Sequence, residues 1–438
     1  MGANNAVYFW AGGGLLSALF LGFAIRAGRR LRFLADTPTS KAKGVFIGQV
    51  ELKGRAAITT PVRSYLAATE TVWYHFVVEE EWERWETETT TNSKGETQTR
   101  QVQRTGWRTV AQGGETPPFF VEDDTGAVLV RPEGAEVEPV VIFEQAVNRG
   151  EPLYFGKGPA QETADSRHRR RFREQAIARG ATLFVVGRAR ERTDVVAPEI
   201  AADQQAELFL ISCREEAKVE SSYRVHFWLL GVLALLTLPA AGLFLARSAN
   251  QPADWGLLAG LAGGVAAIWA VVWLWMAFNS LVQLRNRAAQ AWSLVDVQLK
   301  RRADLIPRLV GVVTGLRDHE QRVQTEVAAL RAQAAATPPW EPGTDVAGAR
   351  ATVQAVAERY PELKANAAFL ALQKELAETE TRIALARDYY NEIATHHNTR
   401  REIVPDRWLA PLAGLKPRPL LGAESFERAA VAVNLATA

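Results

Sequence analysis

Apolar residues fall along this chain in three different rhythms. Three stretches, 6–25, 227–246 and 255–278, carry no charge, and each is long enough for a helix across a bilayer, which takes about 20 residues. Only Arg247-Ser-Ala-Asn-Gln-Pro-Ala-Asp254 separates the second from the third, so the pair predicts an antiparallel helical hairpin. The two polar segments, about 27–226 and 279–438, are then expected on one side of the same membrane.

The second rhythm fills 40–226. Short runs rich in Val, Phe, Tyr and Trp recur between Gly, Pro and Asp; 45–52, 71–79, 119–121, 127–130 and 182–186 read as strands. Segment 161–180, with its basic Arg167-His-Arg-Arg-Arg-Phe-Arg173 run, reads as a helix ending at Gly180, and the Thr/Glu/Gln-rich 86–103 as a mobile loop or ribbon tip. The expectation is a β-rich α+β domain. Arg167, Arg169, Arg170, Arg171 and Arg173 either contact anionic lipid or line a solvated helix face.

The third rhythm is helical and fills 279–438. From the third stretch the chain continues without a breaker, and Leu281, Leu284, Ala288, Ala291 and Val295 stand three and four apart. The same register lands on Gln298 and Arg302, polar residues costly on a packing seam unless paired. Pro307 is expected to break or kink the helix, with Leu309, Val313, Leu316, Val323, Val327 and Leu330 marking the next apolar face. A loop at 337–343 and a short helix at 349–359 follow. The longest helix then carries Ala365, Phe369, Leu372, Leu376, Thr379, Ile383, Ala386, Tyr390 and Ile393, flanked by Gln373, Glu380 and Arg387 seven apart. Glu380 is expected to pair with Arg301 or Arg302 and fix register rather than catalyse. The fold class is a multi-domain membrane protein: three spans, the β-rich domain, and an all-α antiparallel bundle.

Charge sets the expected orientation. Arg26, Arg29, Arg30, Arg32, Lys41 and Lys43 follow the first stretch, Arg214, Lys218 and Arg224 precede the second, and Arg285 and Arg287 follow the third. Basic residues near span ends stay cytoplasmic, so the N-terminus is expected outside and both polar domains inside an inner membrane. The first stretch lacks a basic leader and a small-residue cleavage site, as an uncleaved anchor would. The net charge of +2 gives no argument for nucleic acid. One cysteine, Cys213, excludes an intrachain disulfide and a cysteine zinc cluster; adjacent His396 and His397 would point about 100° apart on a helix. No cofactor or metal is expected.

Two sets of residues resemble known families. Lys43-Gly-Val-Phe-Ile-Gly48 and Gly180-Ala-Thr-Leu-Phe-Val-Val-Gly187-Arg-Ala-Arg, placed before a closing span, resemble the GIDE or "beside a membrane" domain of mitochondrial ubiquitin ligase activators. Those ligases end in a RING, which needs about seven or eight Cys and His ligands; one cysteine cannot supply them, so the resemblance implies the accessory domain alone. Asn279-Ser-Leu-Val-Gln-Leu-Arg-Asn-Arg, the run from Ala291-Trp-Ser-Leu-Val-Asp to Ala303-Asp-Leu-Ile-Pro307, and Tyr360-Pro-Glu-Leu-Lys-Ala-Asn366 resemble the LemA family. So do Leu372-Gln373, Glu380, Ala386-Arg387 and Tyr390-Asn391, over about 279–430. That resemblance implies a membrane anchor, a helical bundle and an envelope-linked role, with no agreed active site. Some members carry lipoprotein-type starts, which would place the bundle outside the cytoplasm.

Gly256, Gly260 and Gly264, and Gly14, Ala18 and Gly22, repeat every four residues and allow close helix approach, within the chain or between copies. The leading expectation is therefore a non-enzymatic, homo-oligomeric scaffold of the bacterial envelope, contacting membrane lipids and organising membrane or envelope-stress functions. Its rival is a sensor or adaptor whose 40–226 domain binds a ligand or protein partner. A third reading, an aspartic-type hydrolase, rests on Asp124-Thr125-Gly126, which turn chemistry explains better.

Overall fold

The computed structural model describes residues 3–91, 97–192, 194, 197–204, 206, 208–316 and 367–421. It divides into two compact units, Ser40–Val219 and the combination of Met1–Thr39 with Glu220–Ala438. The apolar face expected at Val323, Val327 and Leu330, the loop at 337–343 and the helix at 349–359 lie outside the described residues.

The strands are β1 (Thr39–Ser40), β2 (Gly48–Ala57), β3 (Val62–Arg63), β4 (Glu70–Thr91), β5 (Thr97–Glu115), β6 (Phe119–Glu122), β7 (Ala127–Val130), β8 (Glu136–Glu138), β9 (Val140–Asn148), β10 (Ser166–Ala178), β11 (Thr182–Glu191), β12 (Pro198–Ala201) and β13 (Leu210–Ser212). Five close on themselves in the order β2, β6, β7, β12, β11 and back to β2. Every pair in that ring is antiparallel except β7 with β12. This is a Greek-key barrel of the OB type, and closure removes the exposed edges an open sheet would leave. Val50, Leu52, Phe119, Val121, Val128, Val130, Leu183, Val185 and Ile200 fill its interior. β2 serves two partners, pairing β11 up to Arg55 and β6 from Arg55 onward. At Gly54 a Cβ would stand 2.5 Å from the Glu122 carbonyl oxygen, so the changeover needs glycine.

A second sheet, ordered β3-β4-β10-β9 with β5 on β4, corrects the helix expected over 161–180. β10 lies between β4 and β9, and α2 (Pro152–Gly156) is the unit's short helix. Arg170, Phe172, Glu174 and Ala176 are buried on one face of β10, a period of two. Charged residues occupy two of those four inward positions, so the alternation is invisible to hydropathy. Arg170 donates to Glu80 (Nε–Oε2 3.0 Å) and to the carbonyls of Tyr154, Pro159 and Gln161. Glu174 accepts from the amides of Leu66 and Ala67. Of the two expectations for 86–103, loop or ribbon tip, the ribbon holds: the segment is the far part of a ribbon paired to Thr91 and Thr97.

The other unit is helical: α1 (Ala3–Ala35), α3 (Glu216–Ser248), α4 (Trp255–Leu316) and α5 (Ala367–Glu402), with a short α6 (Asp406–Leu409). Val7–Ala35, Glu216–Ser248 and Trp255–Leu305 are long and apolar enough to cross a membrane. Helix α4 has 62 residues, about 93 Å at 1.5 Å per residue, and runs on through Pro307, without the break that was one of the two outcomes expected there. Large rings seat against glycines where α1, α3 and α4 meet. A Cβ on Gly28 would stand 2.8 Å from Phe227, and one on Gly231 2.5 Å from Trp269.

Replacing Glu80 by Ala leaves the Arg170 guanidinium buried without its counter-charge. Breaking such a pair costs about 3–5 kcal/mol, so the variant should unfold at lower denaturant and be cut sooner by protease within Ser40–Val219.

Candidate functional site

Helices α4 and α5 pack along an antiparallel seam whose ends are polar. Leu281, Leu284, Ala288, Ala291 and Val295 are buried on α4, and Leu376, Thr379, Ile383, Ala386, Tyr390 and Ile393 on α5. Trp292 meets Tyr390 edge-on at 5.3 Å between ring centroids. The register then continues into buried polar positions. At one end these are Gln298 and Arg302, and at the other His397 and Arg400. Arg302 Nη1 lies 3.7 Å from Glu380 Oε1, and Arg301 donates to Glu375 at 2.9 Å.

The opposite end of the seam forms a buried charge node with the end of α1. Phe33 and Leu34 bury the last turn of α1, which delivers Asp36, only 4% exposed. Asp36 Oδ1 accepts from Arg400 Nη1 at 2.6 Å and from His396 Nε2 at 2.9 Å, while Oδ2 accepts from the Ser280 hydroxyl. Arg400 also donates to Asp406, itself buried, and to Ser280 Oγ. Arg287 donates to the Asp36 carbonyl and to Thr37 Oγ1, with its guanidinium over the Phe33 ring. Burial opposes ionisation of Asp36, but hydrogen bonds from His396 and Ser280 and the charge of Arg400 prevail. They hold its carboxyl below the ordinary aspartate range.

Ser280, His396 and Asp36 bring together the residue types of a hydrolase triad in the wrong order. Asp36 is the hub, and the imidazole bonds it rather than the seryl oxygen, so His396 is not placed to take the hydroxyl proton. His397 turns away from it into the seam, where burial, the largest influence, lowers its proton affinity. The arrangement holds three chain segments together through charge.

The expected site residues disperse. Arg170 is fully buried and cannot reach lipid; Arg171 pairs with Glu79, Arg167 with Glu81 and Glu83, and Arg169 with Glu81. The basic run is thus a rung pattern across β4 and β10 rather than a helix face, which corrects the lipid-contact expectation for Arg170. Arg173 is exposed. Asp124 sits in the β6–β7 turn, mostly exposed and 2.6 Å from Lys41 Nζ, while Asp123 accepts from the Thr125 and Gly126 amides to close the turn. The Asp36 node was absent from the sequence reading. Of its α5 half, Arg400 continues the 365–393 register, whereas His396 stands off it and carries no such signal.

Replacing Asp36 by Asn keeps the shape and removes the charge. Its depressed carboxyl stabilises the fold above the unfolded value near 3.8, and that contribution fades as pH falls through the lower folded value. Thermal unfolding followed from pH 6 downward should show the wild type losing stability in that window. The Asn variant should start lower by about 3 kcal/mol, with the gap closing on acidification.

Residues 291–435 match the LemA family model, and residues 86–244 match the GIDE model, described as E3 ubiquitin ligase. The GIDE match starts inside the ribbon and runs through most of α3, leaving β2 outside it. The chain is also similar to Protein LemA of Metamycoplasma hominis, 25% identical over 127 residues. That alignment covers 28% of this chain and 58% of the relative, so the chain spans little more than half of the relative's length. The chain carries a LemA domain toward its C-terminal end and a GIDE domain ahead of it.

Proposed function

We propose that the protein is a non-enzymatic, self-associating scaffold anchored in the bacterial inner membrane by three spans. Its N-terminus lies outside and both polar units lie on the cytoplasmic side, where it organises membrane or envelope-stress functions. The basic flanks of the apolar stretches support that orientation. One observation carries the self-association. The chain's own helix contacts use Gly13, Gly28, Gly231 and Gly242, each with a side-chain atom of another helix within 3.0 Å of its would-be Cβ. The four-residue repeats do not take part: nothing lies within 4 Å of a Cβ built on Gly14, Gly22, Gly260 or Gly264, and Gly256 meets only Asp254. Small residues on an uncovered helix face suit close approach by a second copy.

Imaging of the full-length protein in nanodiscs should show closed, symmetric multi-subunit particles. Gly260→Leu combined with Gly264→Leu should release smaller particles with unchanged thermal unfolding, whereas Gly231→Leu should damage the fold by displacing Trp269. Wild-type monomers in native lipid would sink the scaffold reading.

The ribbon supports a second reading, an adaptor. Beyond Arg84, among the described residues, β4 and β5 pair only with each other, and positions 84–89 are exposed, Trp85 among them. An isolated two-stranded ribbon is marginal in water, so this one gains most from a bound partner. Amide exchange over 84–91 and 97–104 should then be slower in native membranes than in the purified protein. Equal exchange would count against an adaptor.

A further inference from the structure

The chain that follows α5 presents a second kind of apolar surface. Leu409, Ala410, Ala413 and Leu415 pack on Phe278, Leu281 and Val282 of α4, and Arg285 Nη1 holds the Ala413 carbonyl at 3.0 Å. Phe278 is the last residue of the uncharged stretch 255–278, so α6 is held at the level where α4 leaves that stretch. On the side facing away from α4, large apolar side chains are bare: Trp408 is 68% exposed, Leu412 74%, Val404 63% and Ile403 46%. Arg407 and Lys416 are exposed beside them.

We infer that residues 403–412 form an interfacial wedge, inserting Trp408, Leu412, Val404 and Ile403 into the headgroup–acyl boundary beside the third span. The inference rests on the membrane reading above. Depth identifies the occupant: a segment fixed against Phe278 sits where the bilayer surface must be if 255–278 spans it. The chemistry agrees, because tryptophan favours that boundary and neighbouring Arg and Lys can reach lipid phosphates. The wedge would act as a monotopic contact, tying the bundle's base to the bilayer independently of the spans. The Asp36 node lies next to it in the chain, since Arg400 holds both Asp36 and Asp406, and Asp406 begins α6.

The test uses full-length protein in nanodiscs, in a Cys213→Ser background with one new cysteine carrying an environment-sensitive fluorophore. Leu412→Cys and Val404→Cys report on the wedge, Leu274→Cys on the span, and Leu370→Cys on the exposed far part of α5. The Leu412 and Val404 labels should emit blue-shifted light and lose most of their intensity to lipids bearing a nitroxide near the headgroup. The Leu370 label should do neither. Water-like, unquenched emission at 404 and 412 with a quenched Leu274 label would overturn the wedge alone. An unquenched Leu274 label would overturn the membrane reading beneath it. Blue-shifted but unquenched labels at 404 and 412 would mean a protein surface covers them, which also overturns the wedge.

Discussion

The ion pair between Asp36 and Arg400 is the constraint on which the helical unit depends. Two charges taken from water cost several kcal/mol each, and only a complete set of partners recovers it. Here the set comes from three places: Asp36 follows α1, Ser280 and Arg287 lie on α4, and His396 and Arg400 on α5. Remove α5 and Asp36 loses both Arg400 and His396; remove Asp36 and Arg400 is left with Asp406 as its remaining buried counter-charge. The node therefore adds little net stability when complete and penalises every arrangement in which it is incomplete. Such a penalty selects one assembly among several that an apolar seam would tolerate.

Register follows from the same logic. Ser280 and Arg302 stand 22 positions apart on α4, about 33 Å, and their partners Arg400 and Glu380 stand 20 apart on α5, about 30 Å. Alanines and leucines between them would accept a slip of one heptad at modest cost. Polar contacts at both ends would not, because the slip moves each charge about 10 Å along the seam into apolar neighbours. An antiparallel pair held at both ends is a fixed strut.

That strut was legible because helical burial repeats over many residues. The gaps of three and four at 281–295 and 376–393 fall on buried positions, and the first register extends to Arg302, buried as well. The node was harder to read. Asp36 meets Ser280 and Arg400 across 244 and 364 residues, and no local spacing encodes a contact that long. β10 failed for the opposite reason. Its signal is local, but Arg170 and Glu174 hold inward positions, so a scale that equates inward with apolar reads the strand as polar throughout. Pro307 does not end α4, because a proline removes only one helical hydrogen bond, which a helix of 62 residues can absorb.

The two units solve the burial of charge differently, and the difference bears on what each can do. In Ser40–Val219, Arg167, Arg169, Arg170 and Arg171 of β10 pair with Glu79, Glu80, Glu81 and Glu83 while Arg173 stays exposed, and Glu199 is matched by Arg131 and Arg190. Outside its charge node the helical unit packs through apolar faces. Rings seated on Gly28 and Gly231 hold its long helices to one another, and small residues on other faces stay free for close approach. Internal packing is carried by those glycine notches, while nothing lies within 4 Å of a Cβ built on Gly14, Gly22, Gly260 or Gly264.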